Sequence, residues 1–240
     1  MTPLKITFHL ATPMVVDSES PLHLDALIAS TVAREAESLG DPNAWARADD
    51  LSSYLDRASF PAGWVWRASA LQFVPAQKTN FLYDHINTVR RSDPDDIYGA
   101  HMRGDWAQER AIKPETWKVN TVSGQLRGYQ MLIRTRMVDR AVAWAVGDKD
   151  AIEHACSQIK ALGKIRRNGH GRVYATSVEE APEGEANHWM LRTLPDGVAG
   201  LAGVNYQPVI ATLRAPYWRK ANRVVAQDPL LWPQDVACAS

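Results

Sequence analysis

The sequence is poor in cysteine, with two in 240 residues, and it has no net charge, with 27 Lys and Arg against 27 Asp and Glu. Cys156 and Cys238 cannot build a disulfide framework, nor a zinc site by themselves, and their scarcity fits a reducing compartment. Long apolar runs are also missing. The most continuous, Ala141 to Val146, is strand-sized, far short of the roughly 18–20 residues that cross a bilayer as a helix. These gaps exclude a disulfide-stapled secreted domain and argue against any membrane association. The opening residues alternate Ile6, Phe8 and Leu10 with Lys5, Thr7 and His9, a strand pattern and not a secretory leader, so a cytoplasmic protein is expected. What is present is 45% apolar residues, and a chain of this length buries roughly 70–75% of its unfolded surface without a metal or disulfide staple.

Neutrality hides a segregation of charge. Asp17 to Arg57 carries nine acids and three bases, whereas Arg110 to Arg140 carries seven bases and two acids. Lys160 to Arg172 adds five bases and Arg214 to Arg223 four, neither with an acid. Local fields and counterion release depend on charges within a screening length of about 8–10 Å, so three basic islands point to a polyanion partner despite the neutral total.

The hydrophobic pattern predicts a first strand at Leu4–Leu10 and a helix with Ser20 as N-cap and Pro21 at its first position, ended by Gly40. A short helix near Asp49–Arg57 and a strand over Trp64–Val74 follow. Gln77 to Gly128 is long, polar and irregular and reads as an insertion, with a strand at Trp117–Val122 turning at Ser123-Gly124. Tyr129–Val146 reads as one long or bent strand. A helix capped by Gly147-Asp148 then carries Ile152, Ala155, Cys156, Ile159 and Leu162 up to Gly163, and Arg172–Val178 is a strand. The order is βαββαβ, an α+β ferredoxin-like or RNA-recognition (RRM) palm with an inserted thumb at about 77–128, spanning 1–180. Residues 186–240 form a small β-rich C-terminal extension with strands at Trp189–Leu194 and Val209–Leu213.

The most specific segment joins the second helix to the last strand, Leu162-Gly-Lys-Ile-Arg-Arg-Asn-Gly-His-Gly-Arg-Val173. Gly163, Gly169 and Gly171 permit positive φ and would let backbone amides point into a concavity, while Lys164, Arg166, Arg167 and Arg172 supply charge for phosphates and His170 a further contact. The order of residues is neither a Walker A loop nor a dinucleotide fingerprint, so no nucleotide cofactor, and no metal, is expected. The alternative is a solvated helix end with Gly163 as its C-cap. On the strand Gln130–Met137 the two-residue period places Arg134 and Arg136 on one face, where they meet RNA or pair with acids such as Asp139. Lys113, Trp117, Lys118, Arg127 and Tyr129 interleave cations with rings, suiting backbone contact and stacking or, for the rings, core packing. Arg219, Lys220 and Arg223 lie in a tail, Ala215 to Arg223, that either contacts RNA or docks on the first domain.

This arrangement resembles the RAMP superfamily of CRISPR-associated RNA-binding proteins. The opening Leu4-Lys-Ile-Thr-Phe-His-Leu-Ala-Thr-Pro-Met-Val15, the Leu24–Ala29 helix, the Leu162–Val173 loop and the tail Tyr217–Arg223 are similar to the type IV effector subunit that holds the 5′ handle of the guide RNA. The resemblance implies a non-catalytic subunit that caps a guide-RNA ribonucleoprotein. Its thumb would touch the neighbouring backbone subunit, its palm would grip the handle, and it would sit beside the large subunit, helping to read the motif flanking the target DNA duplex. A competing expectation is a metal-independent, guide-processing endoribonuclease of the same superfamily, drawing on His170, or on His85 and His101 near Tyr83 and Tyr98. A ferredoxin-like small-molecule enzyme lacks any nucleophile, metal or cofactor motif.

Overall fold

A strand with one apolar face must lay that face on something, and the opening strand becomes the centre of a sheet. The computed structural model describes residues 1–15, 21–76, 83–90, 129–217, 219 and 222–230, with the backbone alone at 83–90, 129–132 and 134. In chain order the elements are β1 (Thr2–Leu10), α1 (Leu24–Ser38), α2 (Ala44–Asp49), β2 (Arg57–Phe60), β3 (Gly63–Trp66), β4 (Gln72–Pro75), β5 (Tyr83–Arg90), β6 (Tyr129–Arg136), β7 (Val138–Gly147), α3 (Lys149–Ser157), β8 (Val173–Glu180), β9 (Leu194–Pro195), β10 (Tyr206–Thr212) and β11 (Arg223–Pro229). The described residues thus form a mixed fold of antiparallel sheets and few helices.

β1 pairs antiparallel with β7 on one side and β8 on the other, and β4 pairs antiparallel with β7, giving the order β4-β7-β1-β8. Leu4, Ile6, Phe8 and Leu10 are buried on one face of β1 while Lys5, Thr7 and His9 share the other, as a period of two requires. Leu4, Ile6 and Phe8 stand opposite Ala145, Ala143 and Ala141. Small residues beside large ones leave room for Leu24 and Ile28 of α1 and Ile152, Ala155 and Cys156 of α3, which share the same core. Truncating a core residue such as Ile6 to Ala costs about 2–5 kcal/mol.

Several boundaries differ from the sequence expectation. α1 begins at Leu24, not Pro21, because the Leu24 amide donates to the Ser69 carbonyl at 3.0 Å and His23 bridges Ala70; Ser20 lies outside the described residues. The short helix is at Ala44–Asp49 rather than Asp49–Arg57. The strand expected over Trp64–Val74 is split into β3 and β4. Between them the amides of Ser69, Ala70 and Leu71 donate to carbonyls of Trp144, Leu191 and Leu22, so no single ladder can run through. β3 instead makes a hairpin with β2. α3 is capped by Asp148, whose carboxylate accepts from the Ala151 amide at 2.9 Å, but it ends at Ser157 instead of Gly163. Leu162 and Val173 donate to the carbonyls of Gly171 and Lys160, and this bridged turn replaces the expected last helical turn.

The chain divides into two compact units, Met1–Leu82 with Arg136–Ser240, and Tyr83–Thr135. In the second, β5 pairs with β6; the strand expected at Trp117–Val122 and its turn at Ser123-Gly124 lie outside the described residues. Within the first unit, β10, β11 and β9 form a three-stranded sheet in that order. The strand expected over Trp189–Leu194 is instead a 3-10 turn at His188–Met190 followed by the two-residue β9. Tight winding here buries Trp189 and lays Leu191, with Leu201 and Val204, on Val142 and Trp144 of the main sheet's other face. Among the described residues no helix is long and apolar enough to cross a membrane.

Candidate nucleic-acid interface

The loop at Leu162–Val173 is held from beneath by the residues that follow β1. Lys164 donates its amide to the Val15 carbonyl at 2.8 Å and Gly171 to the Pro13 carbonyl at 2.9 Å. The Thr12 hydroxyl donates to the Gly169 carbonyl at 2.8 Å and accepts from the Arg172 amide at 2.9 Å. The same segment is bridged on its other side to β6, where Met14 and Arg136 exchange backbone bonds of 2.9 and 2.8 Å. The chain after β1 therefore stitches the loop to the end of β6.

The glycines serve this stitching. Gly163 and Gly171 have φ of +82° and +64°, and a Cβ would strike the carbonyls of Val15 and Leu162 respectively. Gly169, at φ +85°, meets nothing and is needed only for its left-handed turn. The expectation that glycine amides would point into a concavity is corrected here: Gly169 and Gly171 donate to the Arg166 and Pro13 carbonyls. Ile165 also adopts φ +56°, a conformation that a β-branched residue takes only under constraint, of the kind that clusters at ligand clamps. Nor is Gly163 a helix C-cap, since α3 has ended six residues earlier, at Ser157.

What the loop exposes is side-chain charge. Lys164, Arg166, Arg167 and Arg172 are all exposed. Among the described residues no carboxylate lies within ion-pairing distance of Arg166, Arg167 or Arg172. His170, by contrast, is 9% exposed and therefore buried. Arg136 is 6% exposed, so of the two roles expected for it, meeting RNA or pairing with an acid, its side chain is not presented on an open strand surface. Thr135 beside it is fully buried as well, so both faces of the strand are covered at this end. The side chain of Arg134, and Lys113, Trp117, Lys118, Arg127 and Lys220, lie outside the described residues, as do His101 and Cys238.

In the third basic island the fold takes up Arg214. Arg214 lies 4.0 Å and Arg57 4.3 Å from the centroid of the Trp64 ring, stacked as cations on an aromatic face. Tyr217 donates to the Asp25 carboxylate and accepts from Arg192 at 2.7 Å, and Arg192 meets Asp25 at 3.3 Å. Asp25 and Arg192 are wholly buried. Arg192 also donates to the carbonyls of Trp66, Ala68, Thr193 and Leu213. Burial works against its charge, but Asp25 and Tyr217 outweigh that and raise its pKa, while burial first of all raises that of Tyr217. His23 stacks on Tyr217 at 4.4 Å, and burial followed by Arg192 holds it well below the usual histidine range. Of the tail cations, Arg219 and Arg223 remain exposed.

Two features escaped the sequence reading. Tyr174, directly after the loop, is 65% exposed with its ring 5.8 Å from His9, and the buried Asp25–Arg192–Tyr217 node had no local signature at all. An aromatic two residues beyond Arg172 was the available signal for the first. Cys156 is buried and its thiol is pushed up to about 12 by that burial, which makes it a poor nucleophile. Among the described residues no group of His, Cys, Asp and Glu could hold a metal.

Comparison with known proteins gives one assignment. The family described as CRISPR type IV associated protein Csf3 matches residues 2–229, and no curated protein matches the chain. Since that match covers nearly the whole chain, the protein belongs to this family, which implies a subunit of a type IV CRISPR complex.

Proposed function

We propose that this member of the Csf3 family is a non-catalytic RNA-binding subunit that grips the 5′ handle of the guide RNA in a cytoplasmic type IV ribonucleoprotein. The carrying observation is the loop at 162–173, where Arg166, Arg167 and Arg172 stand exposed and without a carboxylate partner among the described residues on a backbone that two obligatory glycines lock in place. Guanidiniums without a described carboxylate partner on a fixed frame suit phosphates, because little backbone order has to be created on binding and each contact releases counterions. The strand order β4-β7-β1-β8 with both long helices in one core supports reading the sheet as the ferredoxin-like palm of a RAMP protein. The unit Tyr83–Thr135 is the candidate thumb, directed at the backbone subunit, and the large subunit and the target duplex are the further partners of such a cap. Buried His170 lends no support to the endoribonuclease reading.

The test is retention of repeat-derived RNA by the purified chain across a salt series. The Arg166→Ala/Arg167→Ala variant should lower the slope of log affinity against log salt by roughly 0.7 for each cation removed. An unchanged slope would remove the loop from the interface, and metal-independent cleavage of the same RNA by the wild type would replace the binding reading with the catalytic one.

A further inference from the structure

The outer face of the main sheet, the face turned away from α1 and α3, is divided. At one end Val142 and Trp144 are covered by Leu191, Leu201 and Val204. The acids of this face gather there: Glu179 stands opposite Lys5, and Glu185 accepts from Lys5 at 3.1 Å and from the Trp144 indole at 2.6 Å. The other end is open. His9 stands between Arg140 on β7 and Ala175 on β8. Both neighbours are exposed, and Arg140 has no carboxylate within ion-pairing distance among the described residues. Tyr174 holds its ring 5.8 Å from that of His9 at 46°, and is 65% exposed. Arg172, which meets no carboxylate among the described residues, is two residues away along the chain.

An exposed ring tilted against a second ring, flanked by a guanidinium with no described carboxylate partner and continuous with a basic loop, has the parts of a single-strand platform: a π-face for a base and a charge for its phosphate. We propose that single-stranded RNA leaving the 162–173 loop runs onto the open end of the sheet, where one base stacks on Tyr174 beside His9 and Arg140 holds the adjoining phosphate. The polarity of the face sets the limit of the path, because a polyanion that continued towards Lys5 would meet Glu179 and Glu185. The proposal rests on the RNA-binding reading given above and adds to it a stacking subsite outside the loop.

Fluorescence anisotropy with repeat-derived single-stranded RNA, and quenching of 2-aminopurine placed along it, test this with the full chain. Tyr174→Ala should weaken binding about tenfold, within the range of one lost stack, while leaving the salt slope unchanged, since stacking releases no counterion. Tyr174→Phe should bind as the wild type, and Arg140→Ala should lower the slope by roughly 0.7. One 2-aminopurine position should be quenched by the wild type and not by Tyr174→Ala. If Tyr174→Ala binds unchanged while Arg166→Ala/Arg167→Ala loses affinity, the stacking subsite is overturned and the loop reading stands. If Tyr174→Ala keeps its RNA but no longer co-purifies with the other subunits, the face meets protein and the proposal is overturned. If the wild type retains no RNA, the RNA-binding reading itself fails and takes the subsite with it.

Discussion

Two basic islands that look alike along the chain are treated differently at particular residues by the fold. Lys160–Arg172 and Arg214–Arg223 hold five and four cations without an acid. In the first, Arg166, Arg167 and Arg172 stand clear of every described carboxylate. In the second, Arg214 lies on Trp64 while Arg219 and Arg223 stay exposed, and the neighbouring Tyr217 is locked to Asp25 and to Arg192, a cation outside the island altogether. Charge density in sequence therefore does not mark a binding surface. What marks it is whether the fold has already supplied the cation with a partner, since a desolvated, fully bonded guanidinium has nothing left to offer a phosphate.

The sharpest way to break this contrast is to exchange the consequences of mutation. Arg192→Leu should lose about 3–5 kcal/mol of stability, because it leaves Asp25 buried without its counter-charge. Urea unfolding measures this, and the double variant Asp25→Asn/Arg192→Leu should recover part of the loss. A middle effect belongs to the frame of the loop. Gly171→Ala forces a Cβ against the Leu162 carbonyl at φ +64° and should cost about 1–3 kcal/mol, whereas Gly169→Ala, in open space, should cost only the left-handed penalty of about 1–2 kcal/mol. The next is a pH effect. His23 is held neutral in the fold, so below its ordinary pKa near 6.5 the unfolded chain binds a proton that the folded chain refuses. The stability that His23 confers is then present above about pH 6.5 and declines as pH falls, by at most about 1.4 kcal/mol per unit. Unfolding midpoints between pH 8 and 5 should show a shallower decline in His23→Phe than in the wild type. Smallest of all is Arg166→Ala/Arg167→Ala, which should stay within about 0.5 kcal/mol of wild-type stability while changing RNA retention; a large loss would mean that these cations have structural partners after all.

Much of the main sheet was legible because its signals are local. The alternation in Leu4–Leu10, the Asp148 cap and the strand before Glu180 each need only neighbours in sequence. The loop was legible as an unusual backbone for the same reason. What it does with its amides was not, since their acceptors at Pro13 and Val15 lie about 150 residues away in sequence and no local pattern names them. The split of Trp64–Val74 into two strands has the same origin: no Gly or Pro interrupts Arg67–Leu71, but the backbone there bonds to three separate parts of the chain. Arg136 illustrates the limit of a two-residue period, which assigns faces but cannot tell that both are covered. Arg192 stands alone between Leu191 and Thr193, and only the fold reveals that it ties α1 to the tail.

The position of β1 at the heart of the sheet also has a consequence in time. Its partners begin at Arg140, opposite His9, and continue to Glu180, opposite Leu4. At roughly 5–20 residues per second, a ribosome that has just made β1 needs about 10–30 s to deliver both neighbouring strands. Throughout that interval Leu4, Ile6, Phe8 and Leu10 form an apolar strand face with two unpaired edges, the kind of segment that other chains can join. A nascent-chain crosslink placed at Thr7 would therefore report chaperone contact until β8 emerges and vanish once both edges are closed.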